Sequence, residues 1–344
     1  MTQLPASLDR RTVPDTASKT QGRITWEQFT RHRMALVGGV ILIAMYAVAL
    51  VAGSLAPYGK NEYRRTPVTA FLPPTQIRWI DPETGLLTRP YAYDVVADRD
   101  PVTRQRVYAE DTSKPYFINW FVRRPTQPYK ILGLWQSDLR LFGVDEPARV
   151  FLWGTNNLGK DVFSRVHYGG QVSLTIGLLA VWVSLTIGLV MGSLAGFYGG
   201  RVDDLIMRLV EVFAAIPSLF LLIVLATLLK DPRNPLAQAF GASETRIMFR
   251  HLLPATASYV IVSLTLAIPG YILAETGPSF IGLGPSEVDS ASWGILLRDA
   301  TARGISIQFV LWLLVPGIPI FLAMTFSNLA SDGLRDAFYS RKRR

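Results

Sequence analysis

The sequence has 344 residues, 49% of them hydrophobic, and a formal net charge of +9 from 35 Lys and Arg against 26 Asp and Glu. It contains no cysteine, which excludes disulfide bonds, thiol catalysis and cysteine-ligated metal sites. Basic residues cluster at the two ends of the chain, where a cytoplasmic membrane surface accounts for them. The positive charge therefore does not indicate nucleic-acid binding.

Five stretches of the chain are long and apolar enough to cross a bilayer, which takes about 20 residues for roughly 30 Å of hydrocarbon. A buried helix in a soluble protein keeps a polar face, so five such stretches argue against a soluble protein. The sequence therefore predicts an all-α polytopic membrane protein with five visible transmembrane helices. They lie at about 34–56, 171–196, 207–229, 256–280 and 307–331.

The N-terminal segment, residues 1–33, is polar and basic, and we interpret it as a cytoplasmic tail that ends in an interfacial helix. Trp26 and Phe29 are three residues apart and share one face of that helix. The segment is too long and polar for an ordinary signal peptide. Residues 34–57 are therefore expected to form an uncleaved first transmembrane helix.

Residues 58–165 form a different unit, which leads into the second span. Eleven of the 22 prolines of the chain fall between Pro57 and Pro147, and charged residues of both signs are dense there. Low-complexity bias is absent, so disorder is not the default expectation. We predict a small, loop-rich, partly β domain on the extracytoplasmic side, since long loops cross the membrane largely regardless of their charge.

The remaining chain divides into a membrane core, residues 166–332, and a basic tail, residues 333–344. Five spans with the N-terminus inside would export this tail, against the excess of Lys and Arg in cytoplasmic segments. Either one span is misassigned or the chain lacks one. The suspect region lies between Leu229 and Gly241, where an apolar stretch ends abruptly in charged residues and prolines.

The segment Gly154–Asp161 reads GTNNLGKD and matches seven of the eight positions of a phosphate-binding loop. The eighth should be Ser or Thr to ligate magnesium, but Asp161 would place a carboxylate beside the phosphates. A turn that enters the second span is the better interpretation. The three histidines are far apart in sequence and lack neighbours at ligand spacing, so no metal site is expected.

Three further features are candidates for function. Glu275 lies inside the fourth predicted span, where an ionisable residue is a functional candidate; the alternative is a residue near a span end or paired within the bundle. The segment 241–254 is polar and helix-prone between apolar spans, which suits a surface helix that docks a soluble partner, or else an ordinary connector. Pro217 predicts a kink that helps to shape a pathway.

Several segments together resemble the C-type permeases of the dipeptide, oligopeptide and nickel ABC-importer family. The segment 241–254 is similar to the coupling loop of these permeases, and Leu55-Ala-Pro57-Tyr58 to the end of their first span. The other segments that carry the resemblance are Gly154–Arg165, Tyr168-Gly169, Ser173-Leu174, Ala195–Gly200, Asp203, Met207-Arg208, Ala215–Pro217, Leu273–Glu275, Ser279-Phe280, Gly282–Gly284, Ser292–Gly294, Pro316-Gly317, Asn328-Leu329 and Asp332–Asp336.

The resemblance implies a transport subunit that is not an enzyme, in the bacterial cytoplasmic (inner) membrane. The expected partners are a homologous B-type permease that completes a heterodimer, two ATP-binding subunits, an extracytoplasmic substrate-binding protein, a peptide substrate and membrane lipid, with no nucleic acid. ATP and Mg²⁺ would bind in the partner ATPase subunits, and this chain would bind no cofactor.

The resemblance also implies site residues. A coupling loop at residues 235–254 would contact the ATPase through Ala237, Gly241, Ala242, Ser243, Ile247, His251, Leu253 and Pro254. Pro217, Glu275 and Ser279 are assigned to the substrate pathway. The chain departs from the family pattern in two ways: the acidic residue of the loop motif is replaced by Pro235, and one of the six family spans is missing before the loop. With six spans, both termini would be cytoplasmic.

Other functions remain open at this point. A self-contained secondary transporter would show internal repeats or paired intramembrane charges, and neither is clear here. A receptor or anchor that presents residues 58–150 would need only one or two spans. The same type of permease could also import a nickel complex or a modified peptide.

Overall fold

The computed structural model describes most of the chain outside the N-terminal tail and the segment that precedes the fourth predicted span. The described ranges are residues 21–62, 69–81, 84–99, 106–131, 134–215, 253–286, 290–301 and 311–339. The predicted coupling loop therefore lies almost wholly outside the described residues.

The structure describes eight α-helices, most of which pack into one bundle. They are α1 (Gln21–Arg31), α2 (Arg33–Leu50), α3 (Ala52–Leu55), α4 (Val162–Tyr198), α5 (Gly200–Ala215), α6 (Leu253–Phe280), α7 (Trp293–Asp299) and α8 (Gly317–Tyr339), with a 3-10 turn at Leu311–Leu314. Polar side chains begin several of them. His32 Nδ1 accepts the Ala35 N–H at 3.2 Å before α2, and Ser292 caps α7 by accepting the Ile295 N–H at 3.3 Å.

Three segments of the described chain are long and apolar enough to cross a membrane: Arg33–Leu50, Val162–Tyr198 and Leu311–Ala337. They overlap the first, second and fifth predicted spans. The predicted span 256–280 coincides with α6, a helix of 28 residues that contains Pro269 and Pro278. The predicted span 207–229 extends beyond the described part of the chain, so the count of five spans stays a prediction.

Helices α2 and α8 pack closely because glycines leave room for their backbones. A Cβ on Gly38 would lie 2.9 Å from the Phe326 carbonyl oxygen and 3.1 Å from the Ala330 nitrogen. Farther along, His32 Nε2 lies 3.8 Å from Asp336 Oδ2. The start of α2 and the end of α8 are therefore at the same end of the bundle.

Helices α4 and α6 pack with opposite chain directions. Gly177 of α4 faces Ile272, whereas Ser173, one turn earlier, bonds Glu275, which is later in α6. The core of the bundle is built at this level from side chains of α2, α4, α6, α7 and α8. Its buried members are Ala49, Leu174, Ile272, Trp293, Ile320 and Ala323.

The start of α6 follows from this geometry. Leu253 precedes Ile272 by 19 residues, which is about 28 Å of helix. His32 precedes Ala49 by 17 residues, a similar length. Ile272 and Ala49 belong to the same core cluster. The Tyr58 N–H donates to Ser164 Oγ at 3.2 Å, so α4 begins at the end of the bundle opposite to His32. Because α6 runs antiparallel to α4, α6 begins near the end that holds His32.

Between α3 and α4 lies an insert whose described residues form seven antiparallel strands. They are β1 (Arg78–Ile80), β2 (Leu87–Arg99), β3 (Arg106–Phe117), β4 (Asn119–Arg123), β5 (Tyr129–Ile131), β6 (Trp135–Ser137) and β7 (Leu139–Gly143). They form one sheet in the order β1-β2-β3 and two pairs, β4 with β7 and β5 with β6. A small core that includes Ala92, Ile118, Phe142 and Val150 joins the sheets. These strands fall within the segment for which the sequence predicts a partly β domain.

Arg140 fastens the insert to the bundle. Its side chain is 1% exposed, and Nη1 donates to the carbonyl oxygens of Gly53 at 3.0 Å and Ala56 at 2.8 Å. Nη2 donates to the Gln127 carbonyl at 2.9 Å. The guanidinium therefore caps the C-terminal end of α3, where unpaired carbonyls and the helix dipole favour a cation. The insert sits at the end of the bundle opposite to His32 and Asp336.

Candidate functional site

A polar cluster lies where α4, α6 and α7 meet. Ser173 Oγ of α4 donates to Glu275 Oε2 at 2.9 Å, and Ser279 Oγ of α6 donates to Glu275 Oε1 at 2.9 Å. The two serines are fully buried, whereas Glu275 is half-buried. A carboxylate in an apolar bundle requires such donors, because an unpaired buried charge is costly.

Helix α7 completes the cluster. The Trp293 N–H donates to Ser173 Oγ at 3.2 Å, and its indole Nε1 donates to the Val166 carbonyl at 3.0 Å. Gly294 lets α7 approach α6, since a Cβ there would lie 2.5 Å from the Thr276 carbonyl oxygen. Ser173 thus links the carboxylate to the first turn of α7.

The local sequence explains this arrangement. Glu275 and Ser279 are four residues apart, so they share one face of α6. Small residues of α4 admit the bulky side chain of α7: Gly169 and Gly170 both lie against the Trp293 ring. The cluster places a carboxylate at a fixed position between three helices, on a side chain that is only half-buried.

A second buried polar group lies at the insert end of α4. Asn156 Nδ2 donates to Asp299 Oδ2 at 3.0 Å, and Arg165 Nη1 lies 3.8 Å from the same oxygen. All three side chains are almost fully buried. They join the loop before α4 to the end of α7.

Backbone N–H groups of the loop Gly154–Asp161 donate hydrogen bonds within the loop itself. Asn156 Oδ1 accepts the N–H groups of Leu158 at 3.0 Å and Lys160 at 2.9 Å, and the Asn156 carbonyl accepts that of Gly159 at 3.0 Å. Gly154 has φ 69° and Gly159 has φ 72°, values that favour glycine. A phosphate-binding loop keeps such N–H groups for its ligand, so this loop is a turn that leads into α4.

Asp161 caps α4 by accepting the Ser164 N–H at 2.8 Å. Burial raises the pKa of this carboxyl to about 7, against the lowering effect of the hydrogen bonds from Ser164 and Phe163, and nearby Glu62 raises it further. Asp161 precedes the membrane-spanning segment and lies under the insert.

The structure brings two of the predicted pathway residues together, Glu275 and Ser279. Leu253 and Pro254 are at the first turn of α6, and their side chains are not described. The other predicted site residues fall outside the described residues, so their roles stay predictions. These are Pro217, Ala237, Gly241, Ala242, Ser243, Ile247 and His251.

Sequence reasoning missed four residues that organise these sites: Ser173, Trp293, Asp299 and Arg140. Ser173 and Trp293 stood in segments of the family resemblance, but a serine in a span gives no local signal of its partner. Arg140 and Asp299 bond to residues far away in sequence, so only the fold reveals them.

Two family models match the ends of the chain. The N-terminal TM domain of oligopeptide transport permease C matches residues 20–74, and the binding-protein-dependent transport system inner membrane component matches residues 234–344. The two matches therefore include the first span and the predicted coupling loop.

Individual bacterial proteins are similar over more than half of the chain. The dipeptide transport system permease protein DppC of Bacillus subtilis (strain 168) is 34% identical over 230 residues, 58% of this chain and 71% of the relative. The oligopeptide transport system permease protein OppC of the same strain is 31% identical over 242 residues, 60% of this chain and 78% of the relative. The glutathione transport system permease protein GsiD of Escherichia coli O6:K15:H31 (strain 536 / UPEC) is 34% identical over 222 residues, which is 56% of this chain and 72% of the relative.

Proposed function

Because this chain belongs to the family of inner-membrane permease subunits of binding-protein-dependent transport systems, the C-type dipeptide and oligopeptide permeases, we propose that it forms half of the membrane pathway of an ATP-driven peptide importer. The observation that carries the proposal is the 34% identity over 230 residues with a dipeptide permease. The names of the relatives cover dipeptide, oligopeptide and glutathione transport, so the proposed substrate is a peptide as a class.

The topology of the bundle supports the orientation of such a subunit in a bacterial inner membrane. The start of α2, the end of α8 and the start of α6 share one end of the bundle. This end leads into the basic C-terminal tail, which favours the cytoplasmic side. Both termini and the coupling loop are then cytoplasmic, and the insert is extracytoplasmic.

The coupling loop, residues 235–254, is the proposed docking element for the ATPase. Its apolar side chains, Ile247 and Leu253, would enter a groove on that subunit, as amphipathic helices do in other complexes. The further proposed contacts are Ala237, Gly241, Ala242, Ser243, His251 and Pro254. ATP and Mg²⁺ would bind in the two ATPase subunits, and their binding and hydrolysis would switch the access of the pathway.

Glu275 is the proposed polar contact for the peptide. Its carboxylate is held by Ser173 and Ser279 while remaining half exposed in the single subunit. A transported peptide carries an α-ammonium group, which a fixed carboxylate attracts. A homologous B-type permease would close the pathway opposite this site, and Pro217 is proposed as a further pathway residue.

The insert is proposed to receive the extracytoplasmic substrate-binding protein or to cap the mouth of the pathway. Its attachment by Arg140 to the end of α3 supports this role, because a docked protein could then act on the first span. This role would be rejected if deletion of the insert affected neither peptide uptake nor docking of the substrate-binding protein.

The experiment that tests the function is co-purification with the ATPase subunits. We expect the tagged wild-type chain to retain them, and Ile247→Glu to lose them while still pairing with the second permease. The matched control is Leu87→Ser on the insert, where Leu87 is 85% exposed, and it should retain the ATPase subunits. A self-contained secondary transporter would be recovered without ATPase subunits in all three preparations.

A further inference from the structure

The hairpin of β5 and β6 exposes large apolar side chains. Leu134 is 75% exposed and Trp135 is 65% exposed, although Trp135 pairs directly with Ile131 across the hairpin. The two side chains are neighbours in sequence and lie at the end of a short strand pair. Together the exposed Leu134 and Trp135 side chains form an apolar patch, and contiguous apolar patches mark contacts with a membrane or another protein.

The position of this hairpin relative to the membrane helices is fixed at its other end. Tyr129 is buried, and its ring occupies the space beside Gly53, which leaves no room for a side chain at that glycine. The Tyr129 hydroxyl donates to the Leu139 carbonyl at 2.7 Å, and the Arg140 guanidinium lies 5.3 Å from the centre of the ring. The hairpin is therefore attached to α3 and not free to move away from it.

The level of the membrane surface follows from α2. The outward face of α2 is apolar up to its end, where Leu50 is 47% exposed and Val51 is 40% exposed. Gly53 follows Val51 by two residues, about 3 Å of helix. The hairpin is thus attached where the lipid-facing surface of the first span ends.

The distance from this attachment to the exposed side chains is short. Ile131, which pairs with Trp135, is two residues beyond Tyr129, and two strand residues cover about 7 Å. The polar headgroup layer on each side of a bilayer is about 5–8 Å thick. Trp135 therefore lies within about one headgroup layer of the point where α2 leaves the hydrocarbon.

We propose that the β5–β6 hairpin rests on the lipid surface, with Leu134 and Trp135 in the interfacial layer of the outer leaflet. Tryptophan is enriched in that layer because its ring is apolar and its N–H is polar. The lipid occupant is favoured over a protein partner because the patch continues the apolar surface of α2.

Because this chain contains no cysteine, Leu134→Cys gives it a single site for a fluorescent label, which is attached before assembly with the other subunits. The assembled importer is placed in nanodiscs whose lipids carry bromine near the headgroup end of the acyl chains. We expect several-fold stronger quenching than in nanodiscs without bromine. The matched control is Leu86→Cys, because Leu86 is 69% exposed but lies in the turn between β1 and β2.

Two results would overturn the proposal. One is quenching at position 134 no stronger than at position 86. The other is protection of the label from aqueous iodide without quenching by brominated lipid, which would mean that a protein subunit covers the hairpin. Neither result bears on the co-purification of the ATPase subunits, so the two proposals fail independently.

Discussion

Ser173 Oγ donates a hydrogen bond to Glu275 Oε2 at 2.9 Å, and this bond joins α4 to α6 inside the helix bundle. The same serine accepts the N–H of Trp293 at 3.2 Å. A single hydroxyl therefore connects three helices, and the carboxylate accepts hydrogen bonds from Ser173 and Ser279. The charge and the hydrogen bonds of Glu275 can be separated by substitution.

Glu275→Gln should lower peptide uptake without weakening the bundle. The amide has the size of the carboxylate and can accept from one serine while it donates to the other. Loss of the charge is expected to reduce the uptake rate of the reconstituted importer about tenfold, equivalent to about 1.4 kcal/mol. Glu275→Ala should lower uptake and also the thermal midpoint of unfolding, because it removes the acceptor of two buried hydroxyls. Wild-type uptake in the Gln variant would restrict Glu275 to a structural role.

Gly38 and Gly39 give a paired test of the contact between α2 and α8. Gly38→Ala should destabilise the protein by about 1–3 kcal/mol, since the new methyl group meets backbone atoms of α8 that cannot turn aside. At Gly39 the nearest neighbour of a Cβ is the Phe29 ring at 3.6 Å, an ordinary contact. Gly39→Ala should be neutral in thermal unfolding, and equal effects of the two substitutions would contradict the described packing.

Arg140→Ala should detach the insert from the first span. It leaves buried carbonyl oxygens of Gly53 and Ala56 without their donor, at a cost on the order of 3–5 kcal/mol. Arg140→Lys keeps the charge but cannot reach both sides of the junction with a single ammonium group, so it should rescue only part of the stability. Thermal unfolding and limited proteolysis of the insert measure the effect. Arg123→Ala, on an exposed strand position, is the control and should behave as wild type.

Asp161 should make stability depend on pH. Burial raises its pKa to about 7, so the folded protein binds a proton that the unfolded chain, with a pKa near 3.8, has released. Stability should therefore fall as pH rises from about 4 to about 7, by up to about 1.4 kcal/mol for each pH unit, and level off above that. Asp161→Asn keeps the cap on Ser164 and lacks the charge, so it should be more stable than wild type at pH 8 and equal to it near pH 4. Parallel pH profiles of the two proteins would contradict this assignment.

The long apolar helices could be predicted because a span is a local property of about 20 residues. The predicted span 171–196 lies inside α4, yet the helix begins at Val162. Its first turns carry charged and aromatic residues, which hid them from a search for uncharged segments. Asp161 caps this start, and Val162 and Val166 are buried against Leu296, Ala300 and Leu313.

The sites were predictable only in part. Glu275 stood out because an acidic residue in a span is costly, but its partner Ser173 is 102 positions away. Arg140 finds its acceptors at Gly53 and Ala56, 87 and 84 positions away, and an arginine in a loop-rich segment has no local sign of burial. Contacts of this kind depend on the arrangement of the helices, which hydropathy does not encode.

ATP-dependent peptide uptake by the reconstituted assembly tests the proposed function most directly. Liposomes would contain this chain, its partner permease and the two ATPase subunits, with the substrate-binding protein supplied outside. We predict peptide accumulation only when ATP is present on the side of the ATPase subunits and the binding protein is present on the other side. Uptake by this chain alone, driven by an ion gradient without ATP, would contradict the account and identify a self-contained secondary transporter.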